Sequence, residues 1–403
     1  MSLTEETIVI LALAKFDGPY ESTSYTIARH LARHNKVYYV ENPFTIKDLF
    51  TLKGSKEVEL RKQLFKTSSD DVLATDLENL KVVICPPLLS INFIPESFVY
   101  RALLKLNESR ILRRINKVLE STSIQNYIFI NSFNFHYPGV GAKLKPKLRV
   151  YHCVDPLILP FDRAHGIKSE ELIVKASDVV ICTSRQLYNE KKIQNKHTYF
   201  IPNAADLSHS SKALDEHLDI HEKLRNIKKP VVGYFGNIER RIDFELLRFI
   251  TEQHPDKSFV FAGPVGSEFI PDWFYETPNI FLTGRVEYSQ LPAMLKGFDL
   301  AIIPFKKDEV SSTIFPLKLF EYLGAGKPVI VTDFNPDLEE FTSDMVRFCK
   351  SNQQFSDAID EELQTNSEEK IERRLLIAQE NTWERRADDF SKTVFNAIYT
   401  KQK

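Results

Sequence analysis

The sequence predicts an α/β protein with two Rossmann-like domains, each built on a doubly wound parallel sheet. Short runs rich in β-branched and aromatic residues alternate with amphipathic helical stretches along the 403-residue chain, which is the pattern of repeated βαβ units. Most of these runs are apolar throughout, as expected for parallel strands that helices cover on both faces. The alternation occurs twice, before and after a polar, charged segment at 207–229. We therefore expect two sheet domains that face a central cleft.

Each half of the chain contributes its own series of strands. In the first half the predicted strands are Ile8–Ala14, Val37–Val40, Val82–Cys85, Tyr127–Ile130, Arg149–Cys153, Val179–Thr183 and Thr198–Ile201. In the second half they are Val231–Phe235, Phe259–Ala262, Ile280–Thr283, Leu300–Pro304, Val329–Thr332 and Val346–Cys349. Helices are predicted between the strands, for example at Ser22–His34, Phe98–Leu119, Phe244–Gln253 and Gln290–Lys296.

The polar break sets the expected domain boundaries. We predict a first domain at 1–206, a linker at 207–229 and a second domain at 230–380. The last helix, at 381–403, carries apolar side chains on one face and is predicted to dock on the first domain. Ligands of such sheets bind beyond the carboxyl ends of the strands. The loops that follow strands are therefore the places to look for site residues.

The composition excludes several classes of protein. Apolar residues make up 43% and charged residues 27% of the chain, and the formal net charge is -2, which is ordinary for a globular protein and unlike a nucleic-acid binder. No apolar run is long enough to cross a bilayer, and the first residues lack the pattern of a signal peptide. The four cysteines are predicted to be buried thiols of a cytoplasmic protein rather than a metal or redox site: Cys85, Cys153, Cys182 and Cys349.

The stretch 311–334 carries the strongest local signal for chemistry. Ser311, Ser312 and Thr313 offer hydroxyls for a helix N-cap, and Pro316 suits the first helical turn. Two glycines then end the predicted helix before a buried strand. The pattern predicts a loop, a short helix and a strand in close succession.

The start of this predicted helix has the features of a nucleotide-sugar site. Free backbone N–H groups at a helix N-terminus bind anions, and Lys318 adds a positive charge there. One turn later, the carboxylate of Glu321 can accept hydrogen bonds from sugar hydroxyls. Phosphate and ribose recognised side by side indicate a nucleotide-sugar.

A tight loop follows the first strand of the second half. Gly236 allows the backbone to approach a ligand closely, and Asn237 follows it. Arg240 or Arg241 could bind a diphosphate with two parallel hydrogen bonds. A solvated basic loop is the alternative interpretation, because one glycine followed by arginines is weak evidence.

Two further strands of the second half also end in glycine. These glycines are Gly263 and Gly284, and Arg285 follows the second of them. Each glycine alone is consistent with a simple turn, whereas three such strand ends in one half indicate a lined cleft. Arg285 is equally consistent with facing that cleft and with capping the next element.

Two segments of the second half resemble a known family when they are taken together. The segment Asn279–Phe305, followed by PLKLFEYLGAGKPVIVT at Pro316–Thr332, closely resembles the carboxyl-terminal domain of GT-B fold glycosyltransferases of the family 4-like (group 1) type. The resemblance spans most of the chain and is weakest around 44–78. The first half is similar to the family at Ala14–Pro19, Tyr151–Asp155 and Ile201–Asp206. At Tyr38–Pro43 it is similar to the family's teichuronic-acid and capsule-type subgroup.

The resemblance implies roles for the donor-site candidates. The family holds the nucleotide ribose with the glutamate that corresponds to Glu321. Its other glutamate, eight residues earlier, contacts the donor sugar, but Thr313 stands at that position here. The turn that meets the diphosphate corresponds to Phe315–Leu317, where a proline lacks an N–H and leaves those of Leu317 and Lys318 as donors.

The resemblance also implies which residues are catalytic. Arg240 or Arg241 corresponds to the basic pair that neutralises the diphosphate, whereas the family's arginine directly after the loop glycine is Asn237 here. Arg241 and Lys318 are predicted to be catalytic, because charge develops on the phosphate oxygens of the leaving group. His136 is the third candidate, since similar transferases place a histidine near there to contact the donor sugar. A loop histidine of no special role is the alternative.

Three residues of the first half are candidates for the acceptor side: Gly18, His136 and Asp155. Gly18 precedes a helix that starts at the expected cleft, and Asp155 follows the strand at 149–153. A simple strand-to-helix turn at Gly18 and a capping role for Asp155 are the alternatives.

The activity implied by the resemblance is retaining transfer of a hexosyl unit. The donor would be a UDP- or GDP-sugar, and the acceptor a saccharide or a lipid-linked molecule of surface polysaccharide biosynthesis. No DxD triplet and no His/Cys cluster with metal spacing occurs in the sequence, so no metal or other cofactor is expected. A nucleotide-sugar epimerase and a catalytically silent GT-B binding module are the alternatives. A dehydrogenase is disfavoured, because no GxGxxG follows the first strand.

Residues Phe98–Val118 have a second interpretation. Six basic side chains alternate there with apolar ones, and a basic amphipathic helix can lie on anionic lipid at the inner face of the cell membrane. An ordinary surface helix with one core-facing side is the alternative.

Overall fold

The computed structural model describes residues 2–18, 22–66, 72–158 and 160–402. The chain forms two compact units: unit 1 comprises Met1–Pro202 with Arg386–Lys403, and unit 2 comprises Asn203–Arg385. The segment expected as a linker, 207–229, lies inside unit 2 instead. Its few apolar side chains explain this difference, since Leu224 is buried in the core of unit 2.

Unit 1 contains an eight-stranded sheet with the strand order β3-β4-β2-β1-β5-β6-β7-β8. All neighbouring strands are parallel except the short β3, which pairs antiparallel with β4. The strands are β1 Thr7–Ala12, β2 Lys36–Val40, β3 Leu73–Ala74, β4 Leu80–Val83, β5 Ile128–Ser132, β6 Leu148–Cys153, β7 Val179–Cys182 and β8 Thr198–Phe200. The helices are α1 Thr23–Leu31, α2 Ile46–Thr51, α3 Lys56–Arg61, α4 Phe98–Ser121, α5 Gly139–Lys143, α6 Pro160–Ala176 and α7 Arg185–Lys192.

Unit 2 contains a six-stranded parallel sheet with the order β11-β10-β9-β12-β13-β14. The strands are β9 Val231–Phe235, β10 Ser258–Ala262, β11 Ile280–Gly284, β12 Leu300–Ile303, β13 Val329–Thr332 and β14 Val346–Cys349. The helices are α8 Leu207–Ser210, α9 Phe244–Gln253, α10 Asp272–Glu276, α11 Leu291–Gly297, α12 Leu317–Gly324, α13 Asn352–Gln364 and α14 Glu368–Glu380.

The last helix, α15 Trp383–Gln402, belongs to unit 1 from Arg386 onwards. Its Phe390 ring packs edge-on against the His152 ring, with centroids 5.3 Å apart. The backbone N–H of Leu3 donates a hydrogen bond of 2.7 Å to Ser391 Oγ. These contacts join the end of the chain to its beginning.

The prediction of two parallel sheets is confirmed. Every predicted strand is present with its ends within two residues of the expected ones, and among the strands of the described residues only the two-residue β3 was not predicted. The continuous apolar runs form strands that are buried on both faces, as in β9 and β13. The four cysteines are free and buried, as expected.

The strand orders place a topological switch point in each sheet. In unit 1, β1 lies between β2 and β5, and in unit 2, β9 lies between β10 and β12. The chain leaves these central strands in opposite directions, which opens a crevice at their carboxyl ends where ligands of α/β sheets bind. The loops after β1, β5, β9 and β12 are therefore the structural candidates for a site.

Candidate functional site

The candidate site of unit 2 lies where helix α12 meets the carboxyl end of β9. The helix begins at Leu317, after Pro316 in an extended conformation, and no side chain in the described part of the chain caps its start. The prediction that Ser311–Thr313 supply the cap is wrong. These residues form a 3-10 turn of their own, and the hydroxyl of Thr313 donates to the carbonyl of Val310 over 2.7 Å. Without a side-chain cap, the first N–H groups of α12 are left for solvent or a ligand.

Lys318 points from the first turn of α12 toward the end of β9. Its Nζ donates a hydrogen bond of 2.8 Å to the Tyr234 hydroxyl and lies 4.1 Å from the centre of the Tyr234 ring. Burial, and to a smaller extent repulsion by Arg241, lowers the pKa of Lys318 to about 7, although Glu321 and Glu239 oppose the shift. The amine is therefore only partly protonated at neutral pH, and an anion placed beside it would favour the charged form.

Two glycines allow this close packing. A Cβ at Gly236 would lie 2.4 Å from Lys318 Nζ, and Gly236 has a φ of +125°. A Cβ at Gly263 would lie 2.0 Å from the carbonyl oxygen of Gly236. The ends of β9 and β10 therefore approach each other, and Lys318 approaches Gly236, more closely than any side chain would permit.

The loop after β9 is fixed by backbone hydrogen bonds on both sides. On one side, the N–H of Ile238 donates to the carbonyl of Pro264 over 2.9 Å. On the other, the N–H of Asp243 donates to Pro304 and that of Lys306 to Arg241, each over 2.8 Å. This loop is thus joined to the loops after β10 and β12, which gives the site a defined backbone.

The two arginines of this loop have different surroundings. Arg241 donates from Nε to Glu239 Oε1 over 2.6 Å, and its guanidinium lies 5.8 Å from the centre of the Phe305 ring. Arg240 is half-buried and forms no side-chain hydrogen bond or ion pair within the described residues. An incoming anion would compete with Glu239 for Arg241, whereas Arg240 has no such competing carboxylate within the described residues.

Helix α12 is anchored to β9 one turn beyond Lys318. The hydroxyl of Tyr322 accepts a hydrogen bond of 3.0 Å from the backbone N–H of Phe235. The neighbouring Glu321 is buried on the same helix, close enough to Lys318 to affect its pKa. Phe315 contributes only its backbone to the site, because its ring packs in the core against Phe320 and Phe341.

Gly284 and Arg285 lie further from the centre of the sheet. Gly284 is the last residue of β11, the edge strand, and Arg285 follows it; β10 separates this strand from β9. Gly284 has a φ of +67°, and a Cβ there would touch nothing within 4 Å, as in a simple turn. Arg285 is exposed and lies 3.6 Å from Glu287.

The three candidates of unit 1 follow adjacent strands. Gly18 comes after β1, His136 after β5 and Asp155 after β6, and these strands are neighbours in the sheet. Burial, helped by the nearby His165, lowers the pKa of His136 to about 4. His136 is therefore neutral at physiological pH and suited to hydrogen bonding rather than to carrying charge. Gly18 and Asp155 are exposed.

Gly236, Gly263, Lys318 and Glu321 lie close together in the structure, and Tyr234 joins them although the sequence did not predict it as a site residue. Its hydroxyl accepts from Lys318 and donates to the carbonyl of Asn237 over 3.0 Å. In the sequence this tyrosine lies inside a buried strand and has the pattern of a core residue. Its position two residues before the loop glycine was the available signal.

Within the described ranges, no group of three or more His, Cys, Asp or Glu side chains is placed to hold a metal ion. Metal independence stays a prediction. No helix of the described residues is long and apolar enough to cross a membrane.

Unit 2 contains the stretch that matches a known family. Residues 229–365 are similar to the family model described as "Glycosyl transferases group 1", and this range lies within unit 2. A curated Bacillus subtilis (strain 168) protein, named "Putative teichuronic acid biosynthesis glycosyltransferase TuaH", is 29% identical over 203 residues, which are 46% of this chain and 50% of that protein. The chain thus spans about half the length of the curated relative it matches.

Solved structures resemble the whole chain. An α,α-trehalose-phosphate synthase (UDP-forming) from Burkholderia vietnamiensis has a TM-score of 0.70 at 10% identity, and the match covers 99% of this chain and 99% of that protein's chain. HepE of Anabaena in complex with UDP has a TM-score of 0.62 at 14% identity, and the match covers 97% of this chain and 100% of the HepE chain. The catalytic domain of Arabidopsis thaliana starch synthase IV, bound to ADP and acarbose, has a TM-score of 0.64 at 13% identity, and the match covers 98% of this chain and 100% of that domain's chain. At these identities the likeness shows the fold, and the predicted GT-B fold is confirmed.

Proposed function

We propose that the protein is a glycosyltransferase that moves a hexosyl unit from a UDP- or GDP-sugar to a saccharide or lipid-linked acceptor of surface polysaccharide biosynthesis, with retention of anomeric configuration. One observation carries the proposal. Within the range that matches the glycosyltransferase family model, the side chain of Lys318 lies against Gly236 at the switch point of the sheet, and it projects from the first turn of α12, whose start has no side-chain cap.

The cations of this site suit a diphosphate leaving group. Departure of the nucleoside diphosphate increases the negative charge on its phosphate oxygens, and preorganised positive groups stabilise that charge. The N–H groups at the start of α12, the ammonium of Lys318 and the guanidinium of Arg240 are available for this role, and Arg241 adds charge beside them. Lys318 gains a proton as the diphosphate binds, because its pKa of about 7 in the free protein rises next to an anion.

The remaining groups suit the sugar ends of the donor. In this proposal Glu321, one turn along α12 from Lys318, accepts hydrogen bonds from the ribose hydroxyls. A neutral His136 in unit 1 can donate to or accept from a hydroxyl of the transferred sugar. Retention by attack from the face that the leaving group vacates requires no protein nucleophile, and we assign none.

The alternative that the protein is a catalytically silent GT-B binding module is supported by Thr313. At the position where the family has a sugar-contacting glutamate, this residue is 5% exposed and its hydroxyl is bonded to its own turn. Incubation of the protein with a panel of nucleotide-sugars and saccharide or polyprenyl-phosphate-linked acceptors separates the alternatives. Glycosylated product supports transfer. A new nucleotide-sugar supports the epimerase, and nucleotide binding without any product supports the silent module.

We also propose that unit 1 attaches to an anionic membrane at the amino-terminal end of α4, on the cytoplasmic face. Two of the six basic side chains of the predicted helix do not face solvent as free charges, since Arg114 is buried and Arg101 donates to Glu96 and Ser169. The exposed part is apolar at its start, where Phe98 and the preceding Phe93 are 88% and 81% exposed. The start of α4 can insert aromatic rings at the lipid boundary, and exposed lysines and arginines further along the helix meet the headgroups.

Co-sedimentation with phosphatidylglycerol vesicles tests the membrane contact. The double variant Phe93→Ser, Phe98→Ser should lose most of its binding, whereas Leu376→Ser, which changes an exposed apolar residue of unit 2, should bind like the wild type. Equal sedimentation of all three proteins, or equal binding to neutral phosphatidylcholine vesicles, would contradict this attachment.

A further inference from the structure

A buried arginine in unit 1 lies outside the part of the chain that resembles the family most closely. Arg61 ends α3, in the segment 46–66 that connects β2 toward β3, and we call this segment the strap. Its side chain is 0% exposed. A fully buried guanidinium requires partners for all its N–H groups.

The strap arginine has such partners on three sides. Its Nε donates to Glu41 Oε1 over 2.5 Å and one terminal nitrogen donates to Glu41 Oε2 over 2.9 Å, a two-pronged pair. Both terminal nitrogens also donate to the carboxylate of Asp17, one of them over 3.0 Å. The carbonyl of Glu57 accepts the last bond over 2.9 Å. Every N–H of the guanidinium is thus bound.

The two carboxylates differ in what they need from Arg61. Glu41, directly after β2, is 2% exposed, and burial raises its pKa despite the arginine. The buried carboxylate of Glu41 therefore needs the positive charge of Arg61, and the two charges already cancel each other. Asp17 is 31% exposed and could be solvated without the arginine. The ion pair of Asp17 with Arg61 is therefore not required to balance a buried charge. Its consequence is that the loop containing Asp17 is held in place.

That loop, residues 13–18, follows β1 and is held by contacts from the strap and from Tyr39 of β2. Asp17 is bound by Arg61, and Lys15 forms an ion pair with Glu57 of the strap. The hydroxyl of Tyr39 donates to the carbonyl of Ala14 over 2.8 Å. The aromatic ring of Phe16 lies 4.9 Å from the Arg61 guanidinium. The strap thus fixes the backbone at the switch point of the unit 1 sheet, where a ligand would bind.

We propose that Arg61 is a positioning residue for the acceptor: through Asp17 it holds loop 13–18 in the one conformation that acceptor binding requires. The inference rests on the proposed function, in which unit 1 receives the acceptor. Arg61 itself does not touch the acceptor, because its side chain is fully buried and all its donors are used.

The test compares Asp17→Asn with Asp76→Asn. Asp17→Asn weakens the hold on the loop but leaves the Arg61–Glu41 pair intact, so the variant should fold. Asp76→Asn is the matched control, because Asp76 also binds an arginine of unit 1, Arg29, with two hydrogen bonds of 2.7 Å. Asp17→Asn should raise the KM for the acceptor roughly tenfold or more, with the donor Kd and the unfolding midpoint close to wild type. Asp76→Asn should change none of these quantities.

Amide hydrogen exchange of residues 13–18 provides a readout that needs no activity. Exchange should be faster in Asp17→Asn than in the wild type or in Asp76→Asn. An unchanged acceptor KM in Asp17→Asn, or unchanged exchange of the loop, overturns the inference. If the wild type transfers no sugar at all, the proposed function fails, while the exchange experiment still decides whether Arg61 holds the loop.

Discussion

Lys318 in unit 2 and Arg61 in unit 1 both lie beside the loop that follows the central strand of their sheet, yet their charges are used differently. Arg61 is bound by two carboxylates and a carbonyl. Lys318 has a neutral partner, Tyr234, and burial lowers its pKa to about 7. One cation holds backbone in place, whereas the other lacks a full counter-charge and is available to an anionic ligand. This difference supports our proposal that unit 2 binds the nucleotide, whereas the buried charge of unit 1 holds a loop in place.

The largest expected effect is that of Lys318→Met on nucleotide affinity. The variant keeps the apolar stem and removes the amine, and a lost hydrogen bond to a charged group is worth about 2 kcal/mol, or roughly 30-fold in Kd. Its unfolding midpoint should be unchanged or higher, because a buried amine with a lowered pKa does not favour folding at pH 7. Calorimetric titration with UDP and GDP measures the affinity, and Lys228→Met, at an exposed lysine of unit 2, is the control. Equal affinity in all three proteins would refute the assignment of Lys318.

The next largest effect is expected for a substitution of Gly263, which lets the ends of β9 and β10 pack closely. In Gly263→Ala the new Cβ would lie 2.0 Å from the Gly236 carbonyl oxygen, so the backbone must move, at a cost of about 1–3 kcal/mol in the free energy of unfolding. Nucleotide affinity should fall with it. Gly284→Ala is the comparison, since its Cβ meets nothing within 4 Å and only the left-handed backbone opposes it. Urea unfolding of both variants measures the difference, and a larger loss in Gly284→Ala would show that the contact at Gly263 is relaxed.

The affinity for nucleoside diphosphate should depend on pH above neutrality. Lys318 has a lowered pKa of about 7 in the free protein, and bound diphosphate raises it. Above pH 7 the free amine must therefore take up a proton on binding, so affinity falls as the pH rises, by at most about tenfold per pH unit. Titrations between pH 7 and 9 measure the slope, and Lys318→Arg, which stays charged throughout, should flatten it. A slope that Lys318→Arg leaves unchanged would assign the titration to another group.

The smallest effect is expected for Glu321→Gln, which keeps the shape of the side chain and removes its charge. Weaker hydrogen bonds to the ribose should cost about 1 kcal/mol, roughly fivefold in Kd for UDP or GDP. Inorganic pyrophosphate, which has no ribose, should lose less affinity for this variant than UDP or GDP does, because it is affected only through the further lowered pKa of Lys318, whereas Lys318→Met should weaken the binding of both ligands. Equal losses for pyrophosphate and nucleotide would place Glu321 at the phosphates rather than at the ribose.

Local patterns in the sequence predicted the fold and pointed to the centre of the candidate site in unit 2. The continuous apolar runs gave every strand of both sheets except β3, and glycines at strand ends together with Lys318 and Glu321 on a short helix marked the unit 2 site. These signals are local, because strand period, turn residues and helix spacing depend on neighbours in the chain.

The features that sequence reasoning missed depend on contacts between distant residues. The Arg61 cluster joins residues 17, 41 and 61 from three different elements, and no local pattern links them. The capping prediction at Ser311–Thr313 failed because these hydroxyls lie in a separate 3-10 turn before an extended Pro316. The segment 207–229 is polar like a linker, yet a few buried side chains such as Leu224 suffice to fix it in unit 2.

Direct titration of the Lys318 amine tests the central claim most closely. In protein with isotope-labelled lysine, NMR can follow the Lys318 ammonium between pH 5 and 11, with and without UDP or GDP, and Lys318→Met identifies its signal. We predict a pKa of about 7 in the free protein, raised by more than about one unit when the nucleotide binds. A pKa near that of an ordinary lysine in the free protein, or one that saturating nucleotide leaves unchanged, would contradict the account.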